Sequence, residues 1–225
     1  MNYRLSSSSL NLYINCPRCF WLQLNAGVHR PRSIFPSLPG GMDLVIKDYF
    51  DRYRSQGELP PEIDGQVPGR LVPEQELMNR WRNWKTGLSL DLPEVNVTLF
   101  GALDDCLVDN GRYLPLDYKT RGSEPKPGNG MEPYYRNQLD CYALLLDGNG
   151  FSAGERGYLV YYYPREVFGG GTVKFGVKTV ELKVNLSRAR RTLKQAGECL
   201  NGPEPEAHTR CEYCSWQDRL AAEFD

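Results

Sequence analysis

The 225-residue chain has no apolar run approaching the roughly 18 residues that a membrane-spanning helix needs. Its first residues, Met1-Asn2-Tyr3-Arg4-Leu5, lead straight into four serines with no apolar signal core, so a cytoplasmic location is expected. Internal repeats and long low-complexity linkers are also missing, and the length suits one domain over residues 1–225. Charge bias is absent. The 27 Lys and Arg against 28 Asp and Glu leave a net charge of −1, so the molecule as a whole is no polycation. Histidine is scarce: His29 and His208 are the only two, both in expected loops and neither in a ligand motif. With 40% apolar and 24% charged residues, the composition excludes a disordered or fibrous chain.

Binding to nucleic acid therefore requires a local basic patch. Candidates are Arg30 with Arg32, Arg52 with Arg54, Lys119 with Arg121 and Lys126, and the cluster Arg188, Arg190 and Arg191. Each is equally readable as a solvated face balanced by acids.

The seven cysteines are an odd number. Four of them form two Cys-x-x-Cys pairs, Cys16 with Cys19 and Cys211 with Cys214, at opposite ends of the chain. Without a secretory signal, such pairs read as metal ligands before disulfides. Together they offer four thiolates, which suits tetrahedral Zn²⁺ or a [4Fe–4S] cluster. Either would tie the termini together across a very long loop. Trp21 and Trp216 are expected to pack near this centre. Cys106, Cys141 and Cys199 read as small buried hydrophobes.

The serine run supplies a helix N-cap ahead of Leu10, and Pro17 interrupts that segment. A second helix is predicted over about 42–56, from the helical spacing of Leu44, Val45, Tyr49 and Phe50. A short helix is predicted near 74–85. Strands are predicted over 95–100, 102–108 and 113–119, the last two joined by the tight turn Asp109-Asn110-Gly111. Pro115 suggests an edge position or a bulge for its strand. A helix over about 135–146, strands over 157–163 and 173–184, and a helix over about 187–200 complete the pattern. The expectation is an α/β fold, a central mixed sheet flanked by helices.

Strand alternation projects Asp117 and Lys119 to one face, and pairing across the Asn110-Gly111 turn can bring Asp104 beside them. Two convergent carboxylates suit Mg²⁺ or Mn²⁺, hard cations that activate water and stabilise charge on a phosphate. Lys119 can orient that water or neutralise the charge. Gln138 and Tyr142, four apart on the following helix, share a face that can cover the site. Taken alone, an Asp-x-Lys strand is commonly a surface ion pair.

Gly101-Ala-Leu-Asp104, then Leu116-Asp117-Tyr118-Lys119-Thr120 after a hairpin, then Gln138-x-x-x-Tyr142, resembles the PD-(D/E)XK nuclease superfamily. The resembling branch is the RecB-type and CRISPR-associated nucleases, and the likeness runs from Leu5 to Cys214. It implies a restriction-endonuclease-like fold. It also implies Asp104 and Asp117 as metal ligands, Lys119 as the catalytic lysine, and Gln138 with Tyr142 as the accessory motif. Many members add a histidine or acid on an early helix. Residues 40–47 hold no histidine, and Asp43, followed one turn later by Lys47, is the substitute, although an acid near a helix start also serves the helix dipole. Some resembling nucleases carry an iron–sulfur cluster with one cysteine near the N-terminus and three near the C-terminus. This chain has two and two, which serves zinc equally well; iron–sulfur is the preferred expectation and zinc the alternative.

The expected function is metal-dependent hydrolysis of DNA. By resemblance the substrate is a single-stranded or free end, in repair, recombination or CRISPR-type DNA metabolism, with any helicase or CRISPR-type partner a separate chain. Some of the 14 tyrosines can stack on unpaired bases. Two other classes stay open: a nucleic-acid-binding module of the same fold without activity, and a redox or iron–sulfur carrier resting on the cysteines alone.

Overall fold

The computed structural model describes residues 2–31, 37–126 and 132–224. Strand β1 (Tyr3–Leu5) leads into helix α1 (Ser7–Asn15). The serine run caps α1 as expected: Ser6 and Ser9 form a reciprocal capping box. Pro17 occupies the first turn of α2 (Pro17–Asn25), where its missing N–H costs nothing. Helix α3 (Ser37–Gln56) begins five residues before the expected start and takes in Pro39, Gly40 and Gly41. Strand β2 (Arg70–Leu71), helix α4 (Gln75–Arg82) and strands β3 (Leu88–Leu92) and β4 (Val97–Gly101) follow. The hairpin is β5 (Asp105–Asp109) and β6 (Arg112–Thr120), then α5 (Glu132–Gly148), β7 (Arg156–Val167), β8 (Val173–Lys183), α6 (Leu186–Asn201) and α7 (Glu212–Phe224).

The strands form two mixed sheets, ordered β1-β4-β3 and β2-β5-β6-β7-β8. The pairs β1·β4 and β6·β7 are parallel, and the others are antiparallel. Helices flank them, so the expected α/β architecture is found. The expected strand over 102–108 starts only at Asp105, because residues 102–104 carry the chain from one sheet to the other. The hairpin turn is as expected, with Asn110 (φ 46°) and Gly111 (φ 75°) both left-handed, as a twist-matched two-residue turn requires.

Pro115 is a correction. Its strand β6 is the middle of five rather than an edge. Cys106 opposite it turns its carbonyl toward Val72, so Pro115 has no ladder bond to give on that side. Its ring nitrogen faces β7, whose pairing with β6 begins only at Leu116. The proline therefore lies just outside that ladder, where no N–H is needed.

Alternation along β6 divides the molecule. Leu114, Leu116 and Tyr118 join Ile46 and Phe50 of α3 in one core. The opposite face meets α5, and the larger core gathers Leu139, Tyr142 and Leu145 of α5 with Leu193 and Leu200 of α6 and Leu99 of β4. The β6 face toward α5 carries the candidate site. Among the described residues no helix is long and apolar enough to cross a membrane.

Candidate active site and four-cysteine centre

Asp117 and Lys119 project from β6 toward α5, as their spacing predicts, and both meet Gln138. Asp104 lies in the bend just before β5. The register that sets Asp105 against Leu116 brings Asp104 level with Asp117. The Tyr118 N–H donates to Asp104 Oδ2 at 3.2 Å, and the Asp104 charge acts on Asp117. Burial first, then the Asp104 charge, push the Asp117 carboxyl up to about 8 against the opposing pull of Lys119. Burial works against the Lys119 ammonium, but Asp117 and Asp104 outweigh it and raise its pKa.

Asp117 is 1% exposed, and its Oδ2, although ion-paired with Lys119, receives no well-formed hydrogen bond. Two carboxylates converging on one buried point are the oxygen donor set that a divalent cation takes. The residues therefore fit Mg²⁺ or Mn²⁺.

Gln138 fixes the arrangement. Its Nε2 lies 2.9 Å from Asp117 Oδ1 and 2.8 Å from the Tyr142 hydroxyl, while Lys119 Nζ donates to Gln138 Oε1 at 3.1 Å. The Lys119 ammonium also lies 4.8 Å over the Tyr135 ring. Tyr142 is buried, with its ring against the Gly101 backbone. Its hydroxyl lies where it holds Gln138. Asp43 is well inside α3 rather than near its start, so the helix-dipole reading falls away. Lys47 lies 2.7 Å from Asp43 and 2.9 Å from Asp104 and links the two. Among the described residues, Asp43, Asp104 and Asp117 do not form a tight metal-binding triad; only the four cysteines come that close.

A second constellation lies on the α3 side and was missed in the sequence. Arg54 clasps both oxygens of the fully buried Asp105, at 2.7 and 2.6 Å. Arg82 (2.8 Å) and the Tyr118 hydroxyl (2.6 Å) complete its shell. Arg82 also binds Asp51 and donates at 2.7 Å to the Asp104 carbonyl, so the network pins the bend that presents Asp104. The available signal was the row Ile46, Phe50, Arg54: an arginine on the apolar stripe of a helix needs a buried acid. Of the candidate basic residues, Arg54 is buried in this network and Arg188 is bonded to Asp140 at 2.8 Å, while Arg52, Arg190 and Arg191 are exposed. Arg32 lies outside the described residues.

The four cysteines converge as expected. Their sulfurs all lie within 4.8 Å of one another and are buried, with contacts of 3.8 Å (Cys16–Cys214), 3.6 Å (Cys19–Cys211) and 3.5 Å (Cys19–Cys214). Cys16 joins α1 to α2, while Cys211 and Cys214 flank the first turn of α7, a helix beyond the predicted elements. Arg30 donates to Cys211 Sγ at 3.4 Å and the His208 N–H to Cys16 Sγ at 3.5 Å. Burial opposes ionisation of Cys211, but the Cys214 N–H and neighbouring thiols lower its pKa to about 7. Zn–S bonds of ~2.3 Å in a tetrahedron give sulfur separations of roughly 3.8 Å. A cubane places each thiolate on a separate iron and spreads the sulfurs wider. The observed spacing fits one ion. Trp216 is 57% exposed and shares a cavity wall with Cys19, and Trp21 is half-buried and bonded to the Gly202 carbonyl. Cys106 and Cys141 are buried and Cys199 half-buried, as expected.

No curated protein matches the chain. The solved protein titled "Crystal structure of SSO0001" is similar to it over 97% of this chain and 85% of that one, at 16% identity and a TM-score of 0.41. A family model described as the PD-(D/E)XK nuclease superfamily matches residues 48–219, which hold Asp104, Asp117, Lys119, Gln138 and Tyr142. With most of its length matched and the motif residues gathered on one face of β6, the chain belongs to the PD-(D/E)XK nuclease superfamily.

Proposed function

We propose that the chain is a metal-dependent deoxyribonuclease that hydrolyses phosphodiester bonds at Asp104, Asp117 and Lys119. The observation that carries this reading is the buried Asp117 carboxylate, ion-paired with Lys119 and under the charge of Asp104. Asp104 and Asp117 would hold Mg²⁺ or Mn²⁺, with Asp43, tied to Asp104 through Lys47, as a third acid nearby. The ion supplies Lewis-acid activation of water and neutralises charge on the phosphate. Lys119 places a positive charge where the pentavalent phosphate becomes more negative. Gln138 holds Lys119 and Asp117 in register and shields Asp117 Oδ1 from solvent. Tyr142 holds Gln138 in turn.

The whole of residues 1–225 is proposed as one domain. Single-stranded or free ends are the proposed substrate, in repair, recombination or CRISPR-type metabolism, with any helicase or CRISPR-type partner a separate chain. For the cysteine centre we propose zinc rather than [4Fe–4S], on the sulfur spacing. The test of the nuclease reading is cleavage of end-labelled DNA and RNA with Mn²⁺ or Mg²⁺, by wild type and Lys119→Ala. Cutting by wild type alone supports it. Binding without cutting by wild type would instead make the chain an inactive nucleic-acid-binding module.

A further inference from the structure

We infer that a track of exposed rings and arginines, running from the candidate active site across the four-cysteine centre, binds single-stranded nucleic acid. The inference deepens the proposed nuclease reading by naming where its strand lies.

The track starts at Lys119, whose ammonium covers the Tyr135 ring. Tyr134 is next, its ring 5.4 Å from Tyr135 in an edge-on arrangement and 43% exposed. Tyr134 and Arg210 share the walls of two neighbouring concavities, and one of these continues to Arg30 and Tyr213. Arg30 and Tyr213 then enter the next cavity, about 510 Å³, which Trp216 closes. A void of that size accommodates a nucleobase. The three concavities thus share wall residues in sequence from Tyr134 to Trp216, and the Tyr134–Tyr135 ring pair links their near end to Lys119.

The chemistry of the wall alternates. Tyr134, Tyr213 and Trp216 offer rings that are 43%, 44% and 57% exposed. Large rings left in solvent on three adjoining walls suit a ligand with flat apolar faces. Arg210 is exposed and forms no ion pair among the described residues, and Arg30 packs its guanidinium 4.5 Å over the Tyr213 ring. His29 and His208 line the two end cavities, and Glu212 is the one acid among the described residues lining the three concavities. Rings for bases interleaved with cations for phosphates is the pattern that binds unpaired strands without reading sequence. A duplex keeps its bases stacked inside and has nothing to offer these rings.

The cysteine centre acquires a role in this arrangement. Tyr213 and Trp216 flank Cys214 on α7, and Arg30 bonds to Cys211. The metal centre therefore positions the outer half of the track against α1 and α2.

The test is fluorescence anisotropy of a labelled oligo-dT with no added divalent cation, so that binding is read independently of cleavage. Wild type, Tyr134→Ala, Trp216→Ala and Arg210→Ala are compared, with exposed Trp84→Ala as a control remote from the track. Zinc content and thermal unfolding are checked in each. Each ring variant should weaken binding roughly tenfold, within the range of one lost base stack. Arg210→Ala should weaken it and flatten its salt dependence. Trp84→Ala and duplex binding should not change. Unaltered dT affinity in the folded, zinc-loaded Tyr134→Ala/Trp216→Ala double variant would overturn the inference, including the case where the rings instead hold a protein. A wild type that binds dT through the track but cuts nothing would remove the nuclease reading and leave the track standing.

Discussion

Asp104 and Asp105 are neighbours in the chain, yet they serve opposite faces of the sheet. Asp105 turns toward α3 and is consumed by Arg54, Arg82 and Tyr118, while Asp104 turns toward Asp117. Alternation at the start of β5 accounts for this, and the Arg82 bond to the Asp104 carbonyl couples the two roles mechanically.

The pair should therefore separate activity from stability. Asp104→Asn is expected to lower cleavage roughly a hundredfold or more, with little change in folding. Asp105→Asn leaves buried Arg54 and partly buried Arg82 under-compensated and should cost about 3–5 kcal/mol of stability. Urea unfolding alongside single-turnover cleavage measures both. Equal stability losses in the two variants would contradict this division.

The raised Asp117 carboxyl has a pH consequence in the metal-free protein. Its folded pKa of about 8 lies above its ordinary value of 3.8, so the folded state holds the proton more tightly than the unfolded chain. Stability should therefore fall as pH rises from about 4 to about 8 and then level off. Asp117→Asn should flatten that slope. Thermal unfolding across this window, with metal rigorously removed, is the measurement.

Gln138 holds both Asp117 and Lys119, whereas Tyr142 reaches them only through Gln138. Gln138→Ala should slow cleavage more than Tyr142→Phe, by roughly tenfold or more. Single-turnover rates at saturating Mn²⁺ test the order. A Tyr142→Phe defect as deep as that of Gln138→Ala would show that the hydroxyl acts directly.

Cys16→Ser or Cys211→Ser should release the bound metal and lower the melting temperature, because the centre ties α1 and α2 to α7. Metal analysis of anaerobically purified protein should find one zinc per chain in a colourless sample. A brown sample with a shoulder near ~400 nm would instead assign iron–sulfur.

Much of this was legible locally. The Asn110-Gly111 turn announced the hairpin, and the two-residue period placed Asp117 and Lys119 on one face. The four-residue spacing of Gln138 and Tyr142 aligned them along α5, and the two Cys-x-x-Cys pairs announced a four-thiolate centre. Short or weakly patterned elements were not legible. The three residues of β1 and the two of β2 are too few to show alternation, and their pairing partners are distant in sequence. Pro115 misled because propensity cannot tell which side of a strand a missing N–H faces.

The order of turns, periodic faces and cysteine pairs is written in the chain, since each depends on residues within a few positions of one another. Only long-range packing decided that Asp105 belongs to the arginines and Asp104 to the candidate metal site. The same packing drew the four sulfurs to single-ion spacing and left Tyr213 and Trp216 facing solvent. Those outcomes depend on which distant segments bury each other's charge and apolar surface, and no local pattern encodes that choice.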